Sequence, residues 1–143
     1  MISILYNRYK AEDLKGNIDL VNDTIKVALL TSSYTPDIDA HENFDDVSAD
    51  EVSGTNYTAG GKTLTNKSVV QNDTSDKGVF DADDINWENS TITARYAVLY
   101  KDTGTPSTST LIGYIDFEGD EISDSGHFTI NWDTTGILTL ANN

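Results

Sequence analysis

The chain has 143 residues, no cysteine and a formal net charge of −15, from 24 acidic and 9 basic residues. This length predicts one domain, residues 1–143, with a core of ordinary size; the strand patterns described below make it β-rich. The lack of cysteine excludes disulfides, thiolate catalysis and cysteine-based zinc sites. The acidic charge argues against nucleic acid as a partner, because phosphate binding needs clustered lysine and arginine. With no apolar run of about 18 residues, we expect a soluble protein made in a cytoplasm and no membrane partner.

The first two elements are predicted from short local patterns. Residues 4–15 read as a short helix, with Ser3 as its cap and Gly16 as its stop signal. Residues 24–31 are rich in β-branched side chains and predict a strand. Both faces of this strand are apolar, so we expect it to lie in the centre of a sheet.

Residues 33–61 predict a long, solvated loop. They contain seven acidic residues and neither lysine nor arginine. Loops of this length in a compact domain are commonly functional. We expect a helical turn near residues 44–51, and the loop is the first candidate for contact with a partner.

Further strands are predicted at residues 62–71, 91–101, 111–117, 127–133 and 136–140. The second of these predictions rests on a period of two residues, which places Ile92, Ala94, Tyr96, Val98 and Tyr100 on one apolar face. About six strands with short reversals and one helix favour a mainly β fold. The expected architecture is an antiparallel β-sandwich or a partly open barrel, with a short N-terminal helix and the long acidic loop.

Most of the chemistry that the sequence offers has a simpler structural interpretation. Gly60-Gly61-Lys62-Thr63 resembles the end of a phosphate-binding loop, but Asn56 stands where that motif needs its first glycine. A glycine turn that enters a strand is the favoured interpretation. His41 and His127 stand far apart in the sequence without supporting motifs, so we expect them on loops or a strand surface.

No catalytic, cofactor-binding or metal-binding residue is assigned from the sequence. The acidic stretches 81–84 and 116–121 lack the spacing of a helix-loop-helix calcium site, although calcium at a subunit contact stays an open alternative. Nothing selects a catalytic pair among 24 acidic residues, so we expect no enzymatic activity. Trp132 is expected in the core, whereas Trp87 is the freer aromatic and the candidate for stacking on a sugar.

Several segments together resemble a small protein that is widespread in the structural gene clusters of tailed bacteriophages. The resemblance covers nearly the whole chain and rests on GNIDL (16–20), DTIKVALLTSSYTPD (23–37), YTAGGKTL (57–64), VFDADD (79–84), AVLYKDT (97–103) and FTINWD (128–133). It implies a structural virion protein, most simply a capsid decoration or cement protein that binds and stabilises the outer head surface. The family has no catalytic residues to transfer.

The resemblance also implies partners. We expect the major capsid protein or other virion proteins to be bound, and the chain to form a homo-oligomer such as a trimer, after synthesis in the host bacterial cytoplasm. The alternatives are a tail, neck or fibre-attachment protein and, in a different class, a carbohydrate-binding module. Apolar residues of the N-terminal segment and the acidic loop are the candidate partner contacts, although packing against the protein's own sheet is the favoured interpretation for the N-terminal ones: Ile2, Ile4, Leu5, Tyr6, Tyr9 and Phe44.

Overall fold

The computed structural model describes residues 2–142 and consists mainly of β-strands. Its helix and strands are, in chain order, β1 (Ile4–Leu5), α1 (Asn7–Leu14), β2 (Ile25–Leu30), β3 (Lys62–Thr63), β4 (Ser68–Asn72), β5 (Lys77–Asp81), β6 (Ile85–Lys101), β7 (Leu111–Ile130) and β8 (Leu138–Ala141). They form one antiparallel sheet in the order β1-β7-β6-β2-β3 and a second in the order β4-β5-β8. The predicted mainly β class is confirmed, as a two-sheet arrangement whose described strands close no barrel.

The long hairpin of β6 and β7 is the frame of the larger sheet. The two strands contain 17 and 20 residues, and their register shifts at several points along the pair. Three residues within these strands, Asn89, Glu118 and Ser125, have positive φ angles of 49°, 66° and 50°. Extra residues at such shifts are accommodated as β-bulges, which bend and twist a strand. The open end of the hairpin, at Ile85 of β6 and Ile130 of β7, connects the two sheets. Strand β5 of the smaller sheet leads into β6, and β7 leads towards β8 of the smaller sheet.

Strand β2 is buried on both faces, as the sequence predicts. Ile25, Val27 and Leu29 lie in a core cluster on one side of the larger sheet. Ala28 and Leu30 lie in a second cluster on the other side. The strand is central because it hydrogen-bonds β6 on one side and the short β3 on the other.

The smaller sheet covers the first of these two clusters. Phe80 of β5 and Leu138 of β8 are buried in it together with Val27 and Leu29 of β2. Strand β4 contributes little to this core, because all five of its residues are exposed. The smaller sheet is therefore well packed at β5 and β8 and open at β4.

The N-terminal helix is shorter than predicted. Residues 4–15 divide into strand β1, which pairs with β7, and helix α1, which begins after Tyr6. Ser3 does not cap the helix; its hydroxyl accepts a hydrogen bond from the backbone N–H of Asp116. Gly16 ends the helix as predicted, with φ at 76° and its N–H bonded to the carbonyl of Asp13. Ile4 and Leu5 pair with β7 as a strand, so they are not part of the helix.

Residues 33–61 pack against the sheet more closely than predicted. Tyr34, Phe44 and Val47 are buried in the second core cluster, and the Phe44 ring stacks on Tyr100 at a centroid distance of 4.2 Å. The expected helical turn is present as two short 3-10 helices, Phe44–Asp46 and Ser48–Asp50. The loop therefore covers the second face of the larger sheet, and five of its seven acidic residues are exposed.

Other strand boundaries differ from the predictions. The strand predicted at 62–71 is interrupted by Asn66, whose φ is 52°, and becomes β3 and β4 in different sheets. Strand β5 was not predicted. The strands predicted at 111–117 and 127–133 are parts of the continuous β7, which ends at Ile130. The bulges explain this last error, because they disturb the alternation between the two segments without ending the strand.

Candidate partner-binding surface

The N-terminal candidate residues separate into buried and surface groups. Tyr6 and Tyr9 are almost completely buried, and the Tyr6 hydroxyl lies 2.6 Å from the Tyr34 hydroxyl. Burial raises the pKa of Tyr6 far above its ordinary value. Ile2 and Leu5 are partly buried against the first core cluster, whereas Ile4 is 43% exposed. Ile4 is thus the most accessible of these five residues.

Phe44, the candidate contact in the acidic loop, is also a core residue. It is 6% exposed and anchors the loop through its stack on Tyr100. Its aromatic face is therefore occupied within the chain, as it is for Tyr6 and Tyr9. Direct contact with a partner through these three side chains would require the core to open.

A different apolar surface is left uncovered beside the smaller sheet. It is a groove of about 440 Å³ between the segment that follows α1 and the inner face of that sheet. Buried Ile18 and Phe80 lie at its base, and the exposed side chains on its rim are Val21, Val69 and Leu140. The last two are more than half exposed, at 53% and 52%. Exposed clusters of this kind commonly mark interaction sites.

A buried polar atom beside the groove makes no hydrogen bond of good geometry within residues 2–142. It is the hydroxyl of Tyr9, a residue that lines the groove, and the carboxylate of Asp13 lies close to it. Burial raises the pKa of Tyr9, and the nearby negative charge of Asp13 raises it further. Asp13 and Asp19 line the same groove, so an occupant meets apolar side chains with acidic residues at their edge.

No pattern in the sequence predicts this groove. Val21 lies in a connection, Leu140 in the last strand and Val69 in a strand expected to be packed. One signal was present: Val69 and Val70 are adjacent, so one of them must face away from the core in any strand. The convergence of the three rim residues depends on the tertiary fold alone.

The glycine-rich segment 60–63 is a turn into strand β3, which agrees with the favoured interpretation. Gly60 and Gly61 have positive φ angles of 93° and 79°. A Cβ atom on Gly61 would lie 1.8 Å from the carbonyl oxygen of Val27, so the backbone approaches β2 closely. The side chain of Lys62 donates a hydrogen bond to the carbonyl oxygen of Asn86. A strand follows the turn, whereas phosphate-binding loops precede a helix.

A buried hydrogen-bond network fastens this turn to the loop before it. Glu51 Oε1 accepts hydrogen bonds from the Tyr57 hydroxyl and the Gly60 N–H, both at 2.6 Å. The Tyr57 hydroxyl in turn accepts one from the N–H of Leu29 at 3.0 Å. Burial raises the pKa of Glu51, against the opposing effect of these two donors. The raised pKa of this carboxyl therefore has a structural explanation.

The acidic stretches contribute to local structure. Asp83 accepts hydrogen bonds from Thr65 and Asn66, and Asp84 accepts one from the N–H of Trp132. Asp116 forms a two-point pair with Arg95, which lowers the pKa of Asp116. Within residues 2–142, no three His, Asp or Glu side chains come together in a group that could hold a metal ion.

Both tryptophans lie in the first core cluster, whereas the two histidines lie in a loop and on a strand. Trp87 is 1% exposed and packs against Phe128, so the prediction that Trp87 is free to stack on a sugar is wrong. Trp132 is a core residue, as predicted. His41 lies in the long loop and His127 on the surface of β7, which confirms the expected positions. The Tyr34 hydroxyl lies 3.2 Å from His41 Nδ1.

Comparison with known proteins adds no relative. No family model, curated protein or solved structure matches this chain. The resemblance to the tailed-phage protein therefore stays a prediction. Among residues 2–142, the helix found is too short to cross a membrane.

Proposed function

We propose that this chain is a structural virion protein of a tailed bacteriophage that binds the outer surface of the head as a decoration protein. The observation that carries the proposal is the apolar groove between the segment after α1 and the smaller sheet, rimmed by Val21, Val69 and Leu140. The sequence resemblance supplies the biological setting. Catalysis has no part in the proposal, and the absence of enzymatic activity stays a prediction.

The chemistry of the groove favours one kind of occupant. Its base and rim are apolar, Asp13 and Asp19 lie at its edge, and the whole chain has a net charge of −15. Charged surfaces associate best with surfaces of complementary potential. The occupant we propose is an apolar segment of the shell protein flanked by basic residues. Many copies on a repeating lattice gain avidity from weak individual contacts.

The groove is tested by comparing two substitutions at exposed apolar residues. Leu140→Asp places a carboxylate on the groove rim, whereas Ile122→Asp places one on β7, where Ile122 is 69% exposed outside the groove. Loss of one buried leucine contact costs about 1.5–3 kcal/mol, which predicts at least about a tenfold weaker affinity for Leu140→Asp. Ile122→Asp is expected to bind like the unmodified protein. Val21→Asp provides a second rim variant if Leu140→Asp does not fold.

The measurement is cosedimentation of the purified full chain with preassembled expanded heads, with tails and isolated shell protein as controls. Saturable binding to heads that Leu140→Asp weakens and Ile122→Asp does not is the expected result. Binding to tails alone would replace the proposal by the tail, neck or fibre-attachment alternative. Binding to neither heads nor tails would overturn the proposal and leave other functional classes to be tested. Among these, sugar binding can no longer use Trp87 as a stacking surface, because Trp87 is buried.

A further inference from the structure

Strand β4 is an open edge in the described structure. It is the outermost strand of the smaller sheet, and no backbone hydrogen bond joins it to any part of residues 2–142 other than β5. All five of its residues are exposed, and Val69 and Val70, on opposite faces, are each 53% exposed. The strand Ser68–Asn72 is therefore accessible along its edge and on both faces.

The edge lacks the features that usually prevent pairing with another strand. Natural edge strands carry lysine, proline or inward-pointing charges, or are interrupted by bulges. Strand β4 has the sequence SVVQN, with no charge and no proline, and its five pairs with β5 run without a register shift. An uncharged strand edge stands out on a chain with a net charge of −15.

We propose that β4 is a dimerisation edge, at which β4 of a second copy pairs antiparallel about a two-fold axis through Val70. The free edge of each β4 is then hydrogen-bonded to the other, and two three-stranded sheets become one six-stranded sheet. Residues whose numbers add to 140 lie opposite one another. Val70 meets the partner's Val70, and Val69 lies opposite the partner's Gln71. Such a contact is isologous, the commonest type in homodimers.

Charges at the two ends of the strand favour this occupant and this register. Lys67 directly precedes β4, and Asp73 directly follows it. In the proposed register, Lys67 of each copy lies opposite the partner's Asp73. Within one chain the Lys67 ammonium also donates to the carbonyl oxygen of Asp23, and the Asp73 carboxylate accepts from the Gln71 amide. Both side chains keep their charge, so the register creates two symmetric pairs of opposite charge. A cross-strand pair of opposite charges is favourable, and a pair of like charges is not. The strand and its two flanking residues are thus self-complementary in charge.

The dimer is independent of the proposed head binding. Cross-strand pairing uses the edge of β4, with the two Val70 side chains in contact on one face and Val69 beside the partner's Gln71 on the other. The groove lies on the other face of the strand, where Val69 belongs to its rim. A failure to dimerise would therefore leave the groove proposal intact, and the reverse is also true.

Cysteine cross-linking tests the register, since the chain contains no cysteine of its own. In the full chain, Val70→Cys places two cysteines opposite each other at the two-fold axis, with a Cα separation of about 4.5–5.5 Å, within the range of a disulfide. Val69→Cys is the matched control, with equal exposure. It sits about 8 Å from its own copy, because two residues along a strand span roughly 6.6 Å, beyond the range of a disulfide.

Under mild oxidation we expect Val70→Cys to become a disulfide-linked dimer and Val69→Cys to remain mostly monomeric. Asp73→Lys replaces each pair of opposite charges by a pair of lysines, Lys67 of one copy and the new lysine of the other. It should weaken association of the otherwise unmodified chain at least about threefold in analytical ultracentrifugation, because like charges directly opposite one another are unfavourable. The double variant Lys67→Glu with Asp73→Lys should restore it. Equal cross-linking of both cysteine variants, or a monomeric Val70→Cys after oxidation, would overturn the proposal, as would a trimer in which Val70→Cys does not cross-link.

Discussion

At the scale of single residues, much of the acidic composition serves the turns. Side-chain oxygens of several aspartates accept backbone N–H groups two to four residues away, which is the geometry that Asp and Asn favour in turns. For Asp37, Asp46 and Asp102 these backbone hydrogen bonds are the main cause of a lowered pKa. For Asp19 and Asp133 the side chains of Asn22 and Thr135 lower the pKa most, and the backbone bonds lower it further. Part of the acidic composition is therefore explained by turns. The net charge overstates the number of acidic side chains that are free to contact a partner.

Glu51 behaves in the opposite way and gives a prediction about pH. Its pKa is raised above the ordinary value of 4.5, first because it is buried. The folded state therefore holds the Glu51 proton more tightly than the unfolded chain does. The stabilisation from this group is fully present below the unfolded pKa and is lost as the pH rises through the folded pKa.

Glu51→Gln removes this titration and keeps an acceptor, because Tyr57 and Gly60 both donate to the same oxygen, Oε1. We expect the free energy of unfolding of Glu51→Gln, relative to the unmodified protein, to increase as the pH rises from about 4 towards 7. Urea denaturation across this range measures the difference. Glu121→Gln, at an exposed position on β7, is the control for the removal of one carboxylate. A constant difference for Glu51→Gln would contradict the prediction.

At the scale of elements, local turns decide which strands can pair. The turn at Gly60 and Gly61 brings β3 alongside β2, and Gly61 is the point of closest approach. The loop before this turn is tied to β2 by the Tyr57 hydroxyl and by the bond from Val52 N–H to the carbonyl of Leu29. The two-residue β3 therefore depends on its turn and loop more than on its own hydrogen bonds.

Gly61→Ala tests this dependence. The new Cβ would lie 1.8 Å from the Val27 carbonyl oxygen, and the residue would keep a φ of 79°. Left-handed backbone costs a non-glycine residue about 1–2 kcal/mol, and overpacking adds about 1–3 kcal/mol. We expect a loss of about 2–5 kcal/mol in the free energy of unfolding, measured with urea. Gly104→Ala is the matched control.

Gly104 has a φ of 84° but open space around its Cβ position. This control should lose only the backbone part, about 1–2 kcal/mol. Equal losses for the two variants would mean that the close approach of Gly61 to β2 contributes nothing to stability.

At the scale of the whole molecule, excess negative charge acts against the compact state. Described ion pairs such as Lys26 with Asp102 and Lys101 with Asp23 involve few of the 24 acidic residues. Like charges on the folded surface repel one another, and salt screens this repulsion. The same repulsion disfavours association except where a surface is uncharged or complementary, as at β4.

We expect the Tm of the purified chain to rise as sodium chloride increases from about 10 mM to about 150 mM, because the Debye length falls from about 30 Å to about 8 Å. Differential scanning calorimetry at constant pH measures it. The double variant Glu121→Gln with Asp124→Asn, which removes two exposed acids from β7, should show a smaller rise. A Tm that falls with salt would mean that ion pairs outweigh repulsion.

Local patterns in the sequence were sufficient for several features of the fold. The two apolar faces of β2 predicted a central strand, and the alternation from Ile92 to Tyr100 predicted part of β6, because strand periodicity reports which side chains face the core. Gly16 predicted the helix end through its tolerance of positive φ. The apolar character of Tyr6, Tyr9 and Phe44 predicted that they would be buried. The sequence could not decide whether they pack inside this chain or against a partner protein.

The sequence by itself determined the mainly β class, the central strand and the acidic charge, since these follow from composition and from the spacing of neighbouring residues. Only the tertiary structure decided that Trp87 is buried, that Val21, Val69 and Leu140 meet around one groove, and that β4 is an open edge. Each of these depends on contacts between residues far apart in the chain. Local propensity contains no information about which distant surface covers a given side chain, so burial and exposure are settled when the sheets pack.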